Sequence, residues 1–235
     1  FEQEVALVRT DNPHQTELNF SMLSSYDFLR DEHLLTAGTA LVGNTHLTKI
    51  VMSEDMLEPS VSEDSYRQLL LGIRSSCVCE IDLEGCDLPD QMAEDLYEAC
   101  LANAIRRVAR NDKAATVLCI GDVSEQRINA TFSQLVGNSH VKWLDLSKTR
   151  RLTHTGIAHM VNAIENSRVI GILWPDTSSS RHPSDVFREQ FRLLWERATR
   201  VCLKNVLQHV AANDGLVRTI RFGKGPWHRF EITKY

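Results

Sequence analysis

The sequence predicts an α/β fold: an open, curved solenoid of about seven strand–helix repeats, with parallel strands lining the concave side. Three observations predict it. A short frame, apolar-x-x-apolar-x-apolar, recurs along the 235 residues. Between frames the hydrophobic period changes from 2 to about 3.6, as when a helix carries the chain back to the next strand. Inside the frames polar and apolar residues alternate, so one sheet face is buried and the other wet. A closed α/β barrel or doubly wound sheet favours strands that are apolar on both faces.

The frames run in order along the chain. Gln15-Thr-Glu-Leu18-Asn-Phe20 is a degenerate first copy, followed by Leu47-Thr-Lys-Ile50-Val-Met52 and Val78-Cys-Glu-Ile81-Asp-Leu83. Next come Ala115-Thr-Val-Leu118-Cys-Ile120, Val141-Lys-Trp-Leu144-Asp-Leu146, Val169-Ile-Gly-Ile172-Leu-Trp174 and Val217-Arg-Thr-Ile220-Arg-Phe222. Helical spacing is clearest over 89–109, where Met92, Leu96, Cys100, Ala104 and Val108 fall at every fourth position. Further helices are expected near 27–42, 62–73, 124–136 and 155–164. Pro89 suits a first helical turn, and Thr153 or Thr155 suits a cap. One such unit cannot bury its apolar faces alone, whereas stacked neighbours can. The whole chain, 1–235, therefore reads as one domain with a helical insertion at 178–214 and a capping strand region at 215–235. In the insertion Phe187, Phe191, Leu194, Trp195, Ala198, Val201, Cys202, Val206 and Val210 form one broad stripe. That stripe suits a helix sealing the end of the stack, with partner binding as the sharper alternative.

Two units carry a closer likeness. Leu144-Asp-Leu146, then Leu152-Thr153, Gly156-Ile157 and a helix ending at Ala163-Ile164, resembles a leucine-rich repeat of the ribonuclease-inhibitor type. Ile81-Asp-Leu83-Glu-Gly-Cys86-Asp-Leu88 is similar, with Cys86 at the family's Asn/Cys ladder position. The other ladder positions hold Asp55, Val123, Thr149, Thr177 and Gly225, so the ladder is degenerate. The resemblance covers about 15–177 plus the strand near 217–222. It implies a horseshoe that holds a partner, a fold shared by many unrelated functions.

Composition narrows the classes. Apolar residues make up 43% and charged residues 24%, and no stretch reaches the run of roughly 18 apolar residues that a membrane span needs. An opening on Phe1 is expected of a domain cut from a longer chain. The net charge of −5 divides into −11 over 1–180 (15 Lys/Arg against 26 Asp/Glu) and +6 over 181–235 (11 against 5). The acidic body argues against nucleic acid, which needs a continuous basic surface. Cysteines at 77, 79, 86, 100, 119 and 202 have mostly apolar neighbours and no disulfide-framework or zinc spacing. Reduced thiols and a cytoplasmic location are expected.

No catalytic motif stands out. Gly223-Lys-Gly225-Pro226 is a turn without the helix that phosphate cradling requires, and His154 and His159 lie five apart, off the spacing of two ligands on one helix face. The sequence offers no cofactor, metal or catalytic set. What remains is the outward strand face. If Ile81 and Leu83 point inward, Glu80, Asp82 and Glu84 point outward. The same parity puts Lys49 beside them, and Trp143, Asp145, Leu173 and Arg221 further along. An acidic column beside an apolar strip with an outward tryptophan suits recognition of a protein, one with a basic surface above all. The expected function is a protein–protein interaction module or scaffold. The alternative is a regulator of an enzyme or polymer, such as a GTPase-activating or actin-end-capping protein.

Overall fold

The computed structural model describes residues 1–20, 30–52, 61–83, 86, 88–149, 153–174, 185–212, 219–222 and 230–233, with 185–191 and the last two stretches given by backbone course alone. Internal contacts divide the chain into two units: 1–110 with 119–123, and 111–118 with 124–235. In the first, helix α1 (Glu2–Arg9) precedes β1 (Glu17–Asn19), α2 (Asp31–Leu41), β2 (Lys49–Val51), α3 (Glu63–Arg74), β3 (Glu80–Asp82) and α4 (Asp90–Ala109). The second is built from β4 (Val117–Cys119, whose last residue falls to the first unit), α5 (Glu125–Ser133), β5 (Trp143–Asp145) and α6 (His154–Glu165). It continues through β6 (Gly171–Leu173) and α7 (Asp185–Ala211) to a hairpin of β7 (Thr219–Phe222) and β8 (Phe230–Thr233).

The strand–helix alternation follows the frames. Strands β1, β2 and β3 pair in parallel, and β4, β5 and β6 form a second three-stranded sheet in which β5 and β6 are likewise parallel. In the first sheet Leu18, Ile50 and Ile81 form the middle row of the register and are buried, while the rows on either side stand half-exposed. The flanking frame positions Leu47, Met52, Val78 and Leu83 are buried as well. So are Ala115, Leu118, Ile120, Val141, Leu144 and Leu146. Helix α4 turns Leu96, Cys100, Ala104 and Val108 inward at the expected spacing, with Met92 packed beside that core. Thr153 caps α6, its Oγ1 accepting from Gly156 N at 3.1 Å.

One close contact was not legible in any frame. Helices α2 and α3 meet at glycines: a Cβ on Gly72 would stand 2.3 Å from the Gly38 carbonyl oxygen, and one on Gly38 would stand 2.5 Å from the Gln68 carbonyl oxygen. The two backbones touch because neither residue has a side chain.

The two units share several local arrangements. Leu41-Val-Gly-Asn-Thr-His46 and Leu135-Val-Gly-Asn-Ser-His140 lie 94 residues apart. Each makes the same turn, with Gly43 at φ 75 and Gly137 at φ 77, the left-handed value that glycine takes without strain. In each turn the asparagine N–H returns to the leucine carbonyl at 3.0 Å. Asn44 Oδ1 then accepts from the N–H groups of His46 and Leu47, and Asn138 Oδ1 from those of His140 and Val141. Thr16 O accepts from Thr48 N and Lys49 N, as Thr116 O does from Lys142 N and Trp143 N. Asn103 Nδ2 donates to Ile73 O and Val78 O, and Asn205 Nδ2 to Ile164 O and Val169 O. These bonds satisfy buried backbone groups at the turn between a helix and its strand, where an unpaired group is costly.

Two expectations are corrected. The seventh frame does not extend a parallel sheet: β7 pairs antiparallel with β8, setting Arg221 opposite Glu231. A partner strand seven residues further on closes a far shorter loop than one from the preceding repeat, and short closure costs less entropy. Among the described residues the parallel strands accordingly lie in two sheets of three, where about seven were expected in one.

Candidate functional site

The first outward row of the first sheet is charged throughout. The register places Glu17, Lys49 and Glu80 side by side, with Asn19, Val51 and Asp82 in the next row. Lys49 Nζ stands 3.6 Å from Glu17 Oε2 and 3.5 Å from Glu80 Oε1, so it bridges the strands on either side. Burial acts to lower its ammonium pKa, yet the carboxylates of Glu80 and Glu17 outweigh this and raise it. Lys49 is therefore tied into the sheet, and the row keeps a negative balance of two carboxylates to one ammonium. Glu80 also accepts from Cys119 Sγ at 3.7 Å. Asp82 stands half-buried on the same face. Glu84 lies outside the described residues.

Behind this face lie thiols. Cys79 donates to Thr48 O at 3.6 Å and receives Arg107 Nη1 at 3.5 Å. Burial pushes the Cys79 thiol up, with Arg107 opposing it in part. Burial also raises Cys100 well above its ordinary value and, on α7 of the second unit, Cys202 to about 12. All six cysteines are free thiols, and those with raised values are poor nucleophiles because the thiolate is the reactive form. Cys86, at the expected ladder position, donates its S–H to Met52 O at 3.2 Å, the backbone role that such a position serves. Among the described residues no three His, Cys, Asp or Glu side chains are grouped to hold a metal ion.

The second sheet carries a different face. Trp143 is paired in register with Gly171, and Asp145 with Leu173. The bonds of Lys142 N and Trp143 N to Thr116 O repeat those that set Glu17 beside Lys49, so Val117 stands beside Trp143. The row reads Val117, Trp143, Gly171, with Asp145 and Leu173 in the next. Val117 is 45% exposed and Leu173 55%. Trp143 does not stand free in solvent: its ring occupies the space above Gly171, where a Cβ would lie 2.1 Å from Cζ3, 2.5 Å from Cε3 and 2.8 Å from Cη2. Cε3 and Cη2 are both bonded to Cζ3. Their distances exceed the shortest by less than an in-plane approach would give, so the missing Cβ points at the ring face and the indole lies flat on Gly171. Asp145 Oδ1 accepts from Ser147 N at 2.9 Å, which orients its carboxylate.

Sequence parity thus assigned Glu80, Asp82, Trp143, Asp145 and Leu173 to outward positions, and the structure places them there. It ties Lys49 into an ion-paired row and puts Arg221 in the β7–β8 hairpin. Gly171 is absent from the expected site residues, yet the Trp143 ring lies over it. The signal for it was a glycine at an outward strand site one repeat after a tryptophan.

The helix expected within the insertion at 178–214 forms as α7, Asp185–Ala211. Asn205, Val206 and Cys202 are buried along it, while Leu193, Leu207 and Val210 are exposed. Arg197 pairs with Glu165 at 2.7 Å and with Asn162 at 3.3 Å, holding α7 against α6. No helix among the described residues is long and apolar enough to cross a membrane.

No protein-family model matches the chain, and no curated protein matches it. Among the solved structures that resemble it are two at 12% identity. The actin-binding site 2 of leiomodin-1 aligns over 91% of this chain and 98% of its own, with a TM-score of 0.32. The tropomodulin C-terminal domain from Caenorhabditis elegans aligns over 90% of this chain and 98% of its own, with a TM-score of 0.35.

Proposed function

We propose that this chain is a protein-binding module of leucine-rich-repeat type that holds its partner on outward strand side chains and does no chemistry of its own. The observation that carries the reading is the face of the second sheet, where Val117 and Leu173 are about half exposed beside an indole laid flat on Gly171. Such side chains give up water readily on contact, and a central tryptophan ringed by aliphatic neighbours is a common source of binding energy. The carboxylates of Glu80 and Asp82 on the first sheet are proposed as a separate face that favours basic partners by attraction at a distance. The low nucleophilicity of the buried thiols and the mutual pairing of Lys49 with its glutamates fit binding rather than catalysis.

Affinity capture with the 235-residue chain, followed by mass spectrometry and measurement of the recovered partner, tests this. Trp143→Ala is expected to weaken the dominant interaction by about 30-fold, the effect of losing one tryptophan hot spot. Unchanged binding by a folded Trp143→Ala, Leu173→Asp double variant would overturn the assignment of the second face. Glu80→Lys with Asp82→Lys tests the first face in the same assay. Polymer regulation is separated by an actin-assembly assay, in which an altered filament elongation rate would favour the regulator over the passive holder.

A further inference from the structure

We infer that Trp143 and Asp145 together form a seat for an arginine side chain of the bound protein. The inference rests on the second sheet face being a protein-binding surface and names the chemistry it reads there. With one face of the indole covered by Gly171, the other is turned away from the sheet. An indole face carries negative electrostatic character and attracts a cation within about 6 Å of the ring centroid. Asp145 is two residues along the same strand and on the same side, about 7 Å away at the strand rise of about 3.3 Å per residue. That span matches a guanidinium which stacks on the ring and turns its N–H groups to the carboxylate. Ser147 N holds Asp145 Oδ1 at 2.9 Å, so the acceptor is positioned before the ligand arrives.

Leu173, in register with Asp145 and 55% exposed, lies where the methylenes of the incoming side chain would pass. An arginine uses all three features: a flat ring to stack on, a carboxylate for its fork of donors and an apolar wall for its stem. A lysine uses the charge and the wall but lacks the planar fork. The equivalent positions of the first unit cannot make this seat, because Lys49 stands where Trp143 does and Glu80 where Gly171 does.

The test uses the 235-residue chain and the capped pentapeptide acetyl-Gly-Leu-Arg-Leu-Gly-amide, with citrulline and lysine versions as comparators. The indole N–H resonance of Trp143, assigned by its loss in Trp143→Phe, reports binding. The arginine peptide is expected to shift that resonance saturably. The isosteric but neutral citrulline peptide is expected to bind at least about 10-fold more weakly, and Asp145→Asn to weaken the arginine peptide by about 5-fold, in line with one charge-assisted contact. Equal binding of arginine and citrulline peptides, or no shift at 10 mM (about the weakest useful affinity), would overturn the inference. The protein-binding reading fails separately. If a captured partner depends on Trp143 and Leu173 but is indifferent to Asp145→Asn, the binding face stands and the arginine seat falls. If partner capture ignores the face while the peptide still binds, the seat stands and the module reading falls.

Discussion

Replacing Asn44 by alanine tests the hydrogen-bonded scaffold directly. Its side chain sits buried at the turn between α2 and β2 and makes three bonds. Nδ2 donates to Val8 O at 2.7 Å, and Oδ1 accepts from Leu47 N at 2.7 Å and from His46 N at 3.1 Å. Alanine removes all three. Val8 and Leu47 are buried, so the Leu47 N–H loses its partner where water does not reach readily, at about 1–3 kcal/mol, while the Val8 carbonyl keeps the Asp11 N–H at 3.0 Å and loses one ordinary bond, about 1 kcal/mol. His46 is half-buried and can turn its N–H toward water at little cost. The expected loss is about 2–4 kcal/mol, centred near 3. With a urea m-value of about 2 kcal/mol/M, the transition of the first unit should move down by about 1.5 M. Hydrogen exchange localises the effect, and the amides of Leu47, Thr48 and Cys77 should lose protection before those of α6. A loss below about 0.5 kcal/mol for Asn44→Ala would refute the reasoning, because surface-like substitutions span that range.

Two further outcomes follow from packing and burial. Gly72→Ala puts a methyl group 2.3 Å from the Gly38 carbonyl oxygen, which α2 and α3 relieve only by moving apart, so a loss of about 1–3 kcal/mol in chemical denaturation is expected; a stabilised variant would show that the helices already have room. Burial raises the Cys202 thiol from 9.0 to about 12. The folded state holds this proton more tightly than the unfolded one. The resulting stability is complete below pH 9 and is lost as pH rises toward 12. Cys202→Ala should flatten that alkaline decline in a pH series of denaturation midpoints, and an unchanged slope would count against it.

Strand parity was readable because alternation is a property of one short segment, and Trp143, Asp145 and Leu173 needed nothing more to be set outward. What Lys49 touches was not readable. Its partners Glu17 and Glu80 come from strands about one repeat away on either side, and only register brings them within 4 Å. The flattening of Trp143 likewise depends on a glycine in the next strand. The last strand misled for a different reason. Val217–Phe222 carries the frame, yet a frame records which side chains are apolar and not which neighbour supplies the hydrogen bonds, and β8 lies closer along the chain than β6. The contact of Gly38 with Gly72 was hidden because isolated glycines in helices weaken a helix reading and leave no periodic trace.

The likeness was visible in Leu41–His46 and Leu135–His140, but matching each repeat to the next obscures a similarity that recurs after three. Once the units are laid over each other, their differences become informative. The turn glycines, the buried asparagines and the carbonyls that receive the strand N–H groups are retained in both. On the outward faces the match ends. Glu17, Lys49 and Glu80 correspond to Val117, Trp143 and Gly171, and Val51 and Asp82 to Asp145 and Leu173. A backbone that keeps its hydrogen-bonding residues while every compared surface position has changed character is a scaffold presenting two unlike surfaces. Electrostatic attraction suits the first and desolvation the second. The two should therefore differ in salt response: raising ionic strength weakens contacts made through exposed carboxylates, because a Debye length of about 10 Å at 0.1 M shortens to about 3 Å at 1 M. Contacts made by Val117 and Leu173 should persist under the same change, so a partner held by the second face should lose only the part of its affinity owed to Asp145, less than one held by the carboxylates of the first.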